Sequence, residues 1–228
     1  MPDFVFAPPP PVTVPVTDGR LFPVRRIFCV GRNYAAHARE MGNDPTREPP
    51  FFFTKPADAL VPAGQDTPYP SQTKNLHHEI ELVVAIGTGG QDIRPAQALS
   101  HVFGYSIGID LTRRDLQDEA KGLRRPWDLS KRFEASAPIG AIAPASAVGH
   151  LAAGRIALSV NGQIRQEGDL ADQIWPVPDI IATLSRFVAL APGDLIFTGT
   201  PEGVGAIVKG DKLVGEIAGI GTLYTKIV

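Results

Sequence analysis

Three acidic residues are spaced as ligands for a divalent cation. Glu79 and Glu81 lie two positions apart in EIELVVAIG (79–87), whose apolar character is typical of a β-strand. Alternate residues of a strand face the same side, so these two carboxylates point the same way. Asp110 ends the run FGYSIGID in a second strand-like stretch (102–112). Such a set suits Mg²⁺, Mn²⁺ or Ca²⁺ better than Zn²⁺; an edge strand with its glutamates in water is the alternative interpretation.

A histidine and a glutamate could act together as a general base. His37 and Glu40 are three positions apart in NYAAHAREM (33–41), which favours a short helix. A carboxylate beside an imidazole fixes its tautomer and raises its basicity, so the pair could deprotonate water. An ordinary pair on a helix surface is the alternative. The Gly- and Pro-rich stretch after it (42–50) indicates a loop that, with the helix, forms a mobile flap.

A charged helix offers groups for binding an anionic substrate. Arg114 and Gln117 are three positions apart in RRDLQDEAKGLRR (113–125), and together they present a guanidinium and an amide to a carboxylate. Lys131 follows in DLSKRF. A solvated helix with no ligand explains the same charges.

A glycine-rich segment follows a predicted strand near the C-terminus. GTPEGVG (199–205) lacks the Lys-Ser/Thr end of a P-loop and is not followed by a helical pattern, so it predicts a tight turn. Thr200 and backbone N–H groups there remain available to an anionic oxygen. Cys29 lies in an apolar run and is interpreted as a core residue, and His77 and His78 as loop or packing residues.

Short apolar runs separated by turns must position these residues. The 23 glycines and 22 prolines fall between such runs, which indicates a β-rich fold. Asn161-Gly162 predicts the turn of a hairpin, and we expect helices only at the periphery. The expected fold is a single β-dominated α+β domain (25–228) preceded by an extended Pro-rich arm (1–24). The remaining predictions are strands at 25–31 and 138–143, a strand followed by a glycine-rich loop over 194–205, helices at 96–101 and 177–190, and a closing two-stranded meander at 211–228.

Composition excludes several classes of protein. The 228 residues carry 22 basic and 24 acidic side chains, a net charge of −2 that gives no support to nucleic-acid binding. A single cysteine excludes an intramolecular disulfide and a multi-cysteine metal site. No apolar run is long enough for a membrane span and the N-terminus has no signal-peptide pattern, so the expected location is the cytoplasm.

The order of these motifs resembles one enzyme family. CVGRNYAAHAREM, FFFTKPADAL, NLHHEIELVVAIG, GYSIGIDLTRRDLQDE, PWDLSKRF, VNGQIRQEG and IFTGTPEGVG occur in one series. This series, across residues 25–228, resembles the fumarylacetoacetate hydrolase family, in its short acylpyruvase-like branch. The resemblance implies a mixed β-roll or sandwich of the family's C-terminal-domain type and a homodimer.

The resemblance also implies roles for individual residues. Glu79, Glu81 and Asp110 would bind Mg²⁺ or Mn²⁺, while His37 and Glu40 would activate water on a lid. Lys131 would lie near the substrate's oxygen atoms. Contacts to the keto-acid substrate are implied for Arg114, Gln117 and Thr200, with Lys55 of FFFTKP at the edge of the site.

The implied activity is hydrolysis of a carbon–carbon bond in a 2,4-diketo acid. Within this branch the expected substrate is fumarylpyruvate, cleaved to fumarate and pyruvate in aromatic (gentisate-type) catabolism. Oxaloacetate decarboxylation or isomerisation of a hydroxymuconate-type diene on the same metal site are alternatives. A non-catalytic metal-binding protein is a third, against which the complete set of acidic, His and Lys residues argues.

Overall fold

A computed structural model describes residues 4–35 and 49–228 of the chain. Within these ranges the protein is mostly β-sheet, with short helices at the periphery, which confirms the predicted fold class. Four sheets are formed, of eight, four, three and two strands. The predicted helix at 33–41 falls largely on residues 36–48, outside the described ranges, as does most of the predicted flap.

The eight-stranded sheet forms the centre of the molecule. Its middle strand, Ile80–Ile86, is buried at every position, so the alternative of a water-exposed edge strand is wrong. The sheet is mixed, because Asp194–Phe197 pairs parallel with Arg26–Gly31 and Ala137–Ile139 pairs parallel with Leu60–Pro62. Its strands in pairing order are β4 (Phe51–Lys55), β3 (Arg26–Gly31), β14 (Asp194–Phe197), β7 (Ile80–Ile86), β8 (Val102–Ile109), β10 (Ala137–Ile139) and β5 (Leu60–Pro62), with β11 (Ala143–Pro144) also paired to β8.

A four-stranded antiparallel sheet covers one face of this centre. It contains the predicted hairpin, whose turn residues Asn161 and Gly162 have φ of 53° and 81°, the left-handed conformation that a two-residue turn requires. Gly215 lets the sheet approach closely, since a Cβ there would lie 3.0 Å from Ile80. The strands in order are β13 (Gln163–Asp169), β12 (Arg155–Val160), β16 (Lys212–Ile217) and β17 (Gly221–Lys226).

A small third sheet creates the corner that carries two of the acidic residues. Strand β6 (Leu76–His78) continues into β7 through Glu79, and β8 continues through Asp110 into β9 (Thr112–Arg113). Because β6 pairs with β9 and β7 pairs with β8, the segments β6–β7 and β8–β9 pass from one sheet to the other at the same level. The Asp110 N–H donates to the Glu79 carbonyl at 2.8 Å across this corner. The third strand of the small sheet is β15 (Gly205–Ile207).

The N-terminal segment packs on the body of the protein in its described part. Strands β1 (Thr13–Pro15) and β2 (Leu21–Pro23) form an antiparallel pair. Val14 and Phe22 are buried in a cluster that includes Ile27 of β3.

Most predicted elements match the structure, with shifted ends. The charged helix runs over Arg114–Gly122, shorter than 113–125, and the predicted strand at 138–143 is two short strands, β10 and β11, separated at Gly140. In the rest of the part that the structure describes, helices occur at Pro95–Ala98, Asp128–Lys131, Ala145–Val148 and Val177–Phe187, with 3-10 turns at Ala57–Ala59, Leu99–His101 and Leu170–Asp172.

Membrane-spanning helices are not found among the described residues.

Leu158→Ala tests the packing between the two larger sheets. Leu158 of β12 is fully buried, so its truncation should lower the free energy of unfolding by about 2–5 kcal/mol. Ile164→Ala is the control on the neighbouring strand, where the side chain is 57% exposed, and it should cost less than about 1 kcal/mol. Urea denaturation measures both, and equal losses would contradict this packing.

Candidate active site

Three acidic side chains meet at the corner between the sheets. Glu79, Glu81 and Asp110 each offer a carboxylate oxygen, and these atoms lie within 4.8 Å of one another. All three residues are buried, with 6%, 2% and 0% of their surfaces exposed. The structure therefore brings together the acidic residues that the sequence spacing selected.

Burying these carboxylates together is electrostatically unfavourable unless cations accompany them. Burial raises the pKa of Glu81 well above its ordinary value, and the neighbouring charges of Asp110 and Glu79 raise it further. Its Oε2 atom accepts a hydrogen bond from the Gly199 N–H at 2.7 Å. A further cation beside Glu81 would favour its ionised form.

Lys131 bridges two of the carboxylates. Its Nζ donates to Glu79 Oε2 at 2.8 Å and to Asp110 Oδ2 at 2.7 Å. Burial lowers the pKa of Lys131, but the charges of Asp110 and Glu79 outweigh it and hold the pKa above its ordinary value. Lys131 is thus a buried ammonium group, a donor and not a base.

Lys55 lies deeper than the sequence analysis placed it. We expected it at the edge of the site, but it is buried beneath Asp110 and is not among the residues that line the cleft. Its Nζ donates to the carbonyls of Leu111 and Lys131 at 3.2 and 2.6 Å and to Ser136 Oγ at 2.9 Å. Lys55 therefore links, by hydrogen bonds, three chain segments that form the floor of the site.

One carboxylate oxygen has no hydrogen bond. Asp110 Oδ1 is buried and lies 2.9 Å from Lys55 Nζ, but that ammonium group directs its N–H bonds to other acceptors. A buried acceptor left in this state is costly without a further partner. The observation fits a cation beside Asp110, and the all-oxygen donor set fits Mg²⁺ or Mn²⁺.

Arg114 connects the helix to the acidic cluster. Its Nη2 donates to Glu79 Oε1, its Nη1 to Gln117 Oε1, and its Nε to His77 Nδ1 at 3.3 Å. Arg114 and Gln117 are buried, so a solvated helix is the wrong interpretation of this face. Burial, then the Arg114 charge, lowers the pKa of His77 to about 4, so its ring is neutral at pH 7 and accepts from Arg114.

The glycine-rich loop closes the other side of the cluster. Gly199 has φ of +94°, and a Cβ there would lie 2.6 Å from the Cβ of Asn33, so the position requires glycine. The Asn33 amide in turn donates to the carbonyls of Thr198 and Trp175 at 2.7 and 2.9 Å. Thr200 Oγ1 donates to the Ile80 carbonyl at 2.7 Å.

Sequence reasoning missed Gln166, which links the hairpin to the site. Its Oε1 accepts from the Ile80 N–H at 3.0 Å and from His78 Nδ1 at 2.9 Å. Its Nε2 donates to Thr200 Oγ1 and to the Pro201 carbonyl. The available signal was its place in VNGQIRQEG, one of the ordered motifs; that Gln166 is the buried residue of β13 is known only from the structure.

A cleft opens above the three carboxylates. One wall is aromatic, with the Trp127 ring 5.4 and 6.0 Å from the rings of Phe51 and Phe53. Its lining includes the predicted site residues Lys131, Arg114, Gln117 and Thr200, together with Gly199. The side chains of Arg32 and Lys121 also line the cleft and add positive charge. Among the described residues that line the cleft four are basic and three are acidic, which gives it a small excess of positive charge.

His37 and Glu40 lie outside the described residues. Their role as a water-activating pair stays a prediction.

Comparison with known proteins identifies the family. The model for the fumarylacetoacetate (FAA) hydrolase C-terminal region matches residues 26–228, nearly the whole chain. The chain belongs to the fumarylacetoacetate hydrolase family. The resemblance drawn from the ordered motifs is confirmed.

Relatives in this family carry different activities in their names. The chain is 47% identical to the fumarylpyruvate hydrolase of Ralstonia sp. over 78% of this chain and 92% of that protein. It is 41% identical to the mitochondrial oxaloacetate tautomerase FAHD1 of Rattus norvegicus over 89% of this chain and 91% of that protein. A crystal structure of Pseudomonas aeruginosa fumarylpyruvate hydrolase in complex with Mn²⁺ and pyruvate is similar with a TM-score of 0.97 and 55% identity, covering 99% of both chains.

Gly199→Ala tests the close approach of the loop to the acidic cluster. Positive φ costs alanine about 1–2 kcal/mol, and the clash with Asn33 should add about 1–3 kcal/mol of overpacking. Gly210→Ala is the matched control, because Gly210 has φ of +96° with nothing near its Cβ position. Urea denaturation gives the stabilities, and Mn²⁺ titration should show weaker binding only for Gly199→Ala. Identical results for the two variants would contradict the packing argument.

Proposed function

We propose that this protein is a divalent-metal-dependent hydrolase that cleaves a carbon–carbon bond in acylpyruvates, with fumarylpyruvate giving fumarate and pyruvate. The observation that carries the proposal is the buried oxygen cluster of Glu79, Glu81 and Asp110 at the floor of a cationic cleft. The relatives named fumarylpyruvate hydrolase, one of them crystallised with Mn²⁺ and pyruvate, support the substrate and the metal.

Glu79, Glu81 and Asp110 would hold the ion. Their oxygen donors suit Mg²⁺ and Mn²⁺, and Asp110 Oδ1 is available to the ion because it has an ion pair with Lys55 but no hydrogen bond. When bound, the ion would supply Lewis acidity to the substrate's oxygen atoms.

Arg114 and Gln117 would bind the keto-acid end of the substrate. Gln117 Oε1 already accepts from Arg114, so its side-chain N–H groups are the ones left to donate to a carboxylate. The ion pair with Glu79 holds the guanidinium in place, which orients both donors before the substrate arrives. Thr200, held by Gln166, lies at the opposite side of the cleft.

Lys131 would stabilise negative charge as the bond breaks. Because its pKa is held above the ordinary value, it remains an ammonium group and donates to the oxygen of the departing pyruvate enolate. His37, supported by Glu40, would take a proton from water as the water oxygen attacks the C4 carbonyl. The C3–C4 bond then breaks, fumarate leaves with the new oxygen, and the enolate carbon takes up a proton to give pyruvate.

Oxaloacetate chemistry is the second candidate. It is favoured by the 41% identity to a protein named oxaloacetate tautomerase. Tautomerisation or decarboxylation of oxaloacetate requires stabilisation of an enolate but no attacking water. Product analysis after incubation with fumarylpyruvate and with oxaloacetate distinguishes these activities, and cleavage of oxaloacetate alone would overturn the hydrolase proposal.

The cellular setting is part of the same proposal. We propose a cytoplasmic homodimer acting in aromatic catabolism, with residues 25–228 as the catalytic domain. The bacterial relatives named fumarylpyruvate hydrolase support this setting. Sedimentation velocity measures the oligomeric state, and a monomer at working concentrations would contradict the dimer.

Glu81→Gln should separate metal binding from folding. Among the described residues Glu81 is paired with a backbone N–H, and its charge is opposed by burial and by Asp110, so removing that charge should not lower the thermal midpoint in EDTA. Mn²⁺ should then no longer raise the midpoint, because the ion loses an anionic ligand, and turnover should fall in parallel.

Asp110→Asn provides the contrast. It leaves Lys55 and Lys131 without their shared carboxylate charge, so it should destabilise the protein in EDTA, by about 3–5 kcal/mol as for other broken buried pairs.

A Glu81→Gln variant that keeps full Mn²⁺ stabilisation and activity would remove Glu81 from the metal site.

His37→Ala should affect chemistry and not binding. If His37 activates water, kcat for hydrolysis should fall by about 10²- to 10⁴-fold, while calorimetric binding of Mn²⁺ and of oxalate stays near the wild-type value. Glu40→Gln should act in the same direction, and the double variant should be little worse than the worse single one. Near-normal hydrolysis by His37→Ala would exclude the pair from the mechanism.

A further inference from the structure

The charges at the floor of the cleft are already matched. Two of the three carboxylates form ion pairs: Glu79 with Arg114, Asp110 with Lys55, and both with Lys131. Glu81, the third, accepts from the Gly199 N–H and lies in the same cluster. Three acidic and three basic groups leave this floor near neutrality. A divalent ion therefore adds two positive charges, which a ligand with two carboxylates would offset.

Lys121 is a cation of a different kind in the same cleft. Its side chain lines the cleft and is 29% exposed, and its Nζ lies 5.5 Å from the centre of the Trp127 ring. Its described ion pair is a 3.7 Å contact to Asp118, whose side chain is 61% exposed. A long surface pair of this kind contributes little.

The surroundings of Lys121 favour an incoming anion. Burial, then the positive charge of Arg114, lowers the pKa of Lys121, and Arg32 acts in the same direction. A carboxylate placed among these groups would relieve the repulsion between them. The charges of Asp118 and Glu79 act in the opposite direction, but they leave the pKa of Lys121 lowered.

The helix sets the distance between the two ends of the cleft. Arg114, Gln117 and Lys121 occupy positions i, i+3 and i+7 of Arg114–Gly122, so they share one face. Seven residues advance about 10 Å along a helix. An extended ligand could thus place one carboxylate at Arg114 and Gln117 and another, at the far end of its chain, at Lys121.

We infer that Lys121 binds the terminal carboxylate of the acyl group and makes the enzyme selective for dicarboxylic acylpyruvates. The inference rests on the proposed function and deepens it by naming the substrate class. Fumarylpyruvate belongs to this class, because its seven-carbon chain has a carboxylate at each end. Acetylpyruvate ends in a methyl group, and oxaloacetate is too short to span the helix face.

Two non-cleavable ligands test the site without requiring catalysis. 2-Oxoheptanedioate and 2-oxoheptanoate have the same chain and 2-oxo acid group, but only the first has a second carboxylate. Calorimetry on the Mn²⁺-loaded protein should show tighter binding of the diacid, and Lys121→Met should reduce that preference by about 10- to 100-fold, the effect of losing one charged hydrogen bond. Methionine keeps the length and the apolar contact with Trp127.

Matched variants and substrates complete the test. Lys121→Arg should retain most of the preference, and Lys212→Met, at an exposed lysine of β16, should retain all of it. In turnover, Lys121→Met should raise KM for fumarylpyruvate by a larger factor than KM for acetylpyruvate.

Each outcome decides a separate point. Equal binding of the two ligands by the wild-type protein, or equal weakening of both by Lys121→Met, overturns the role of Lys121. A preserved diacid preference without cleavage of fumarylpyruvate upholds the carboxylate site and overturns the proposed hydrolase function.

Discussion

Three buried carboxylates held against three buried cations are the constraint on which the rest of the site depends. Unpaired, any of these groups would be strongly destabilising in an apolar interior, so their partners and positions cannot vary freely. The protein meets this requirement at the corner where β6–β7 and β8–β9 pass from one sheet to another. Two neighbouring chain segments turn there side by side, which places their acidic residues together. Lys131 and Arg114 reach this corner from two short helices at its edge.

The surrounding polar groups fix that corner in place. Gln166 extends from the covering sheet and satisfies the Ile80 N–H and the Thr200 hydroxyl together. Asn33 donates to the carbonyl of Thr198, the residue that follows β14, and the absence of a side chain at Gly199 lets a backbone N–H reach Glu81. These contacts preorganise the donors and acceptors, which is what an enzyme that stabilises an enolate requires.

The fold stabilises the ionised form of two of the three carboxylates but not of the third. Asp110 and Glu79 are paired with cations, whereas burial and like charges oppose the ionisation of Glu81. Asp110 Oδ1 is likewise left without a hydrogen bond. Such local costs are expected where a protein keeps ligands ready for a partner.

The sequence by itself determined the local elements and the kinds of chemistry. Continuous apolar runs and the alternation of residues along the chain predicted β7 and β8, and Asn161-Gly162 predicted the hairpin. The acidic residues at 79, 81 and 110 indicated a site for a hard cation. These features depend on near neighbours in the chain, so spacing is enough to reveal them. The ordered motifs added the family, which no single motif could have indicated.

Only the tertiary structure decided which groups share the site and which support it. Three contacts illustrate this, and each joins residues far apart in sequence. Lys55 lies beneath Asp110, Gln166 donates to Thr200, and Arg114 is buried against Glu79. A sequence pattern reports burial on one face of an element but not what packs against that face. The partner of a buried charge is set by the packing of several sheets at once, so local propensities could not have shown it.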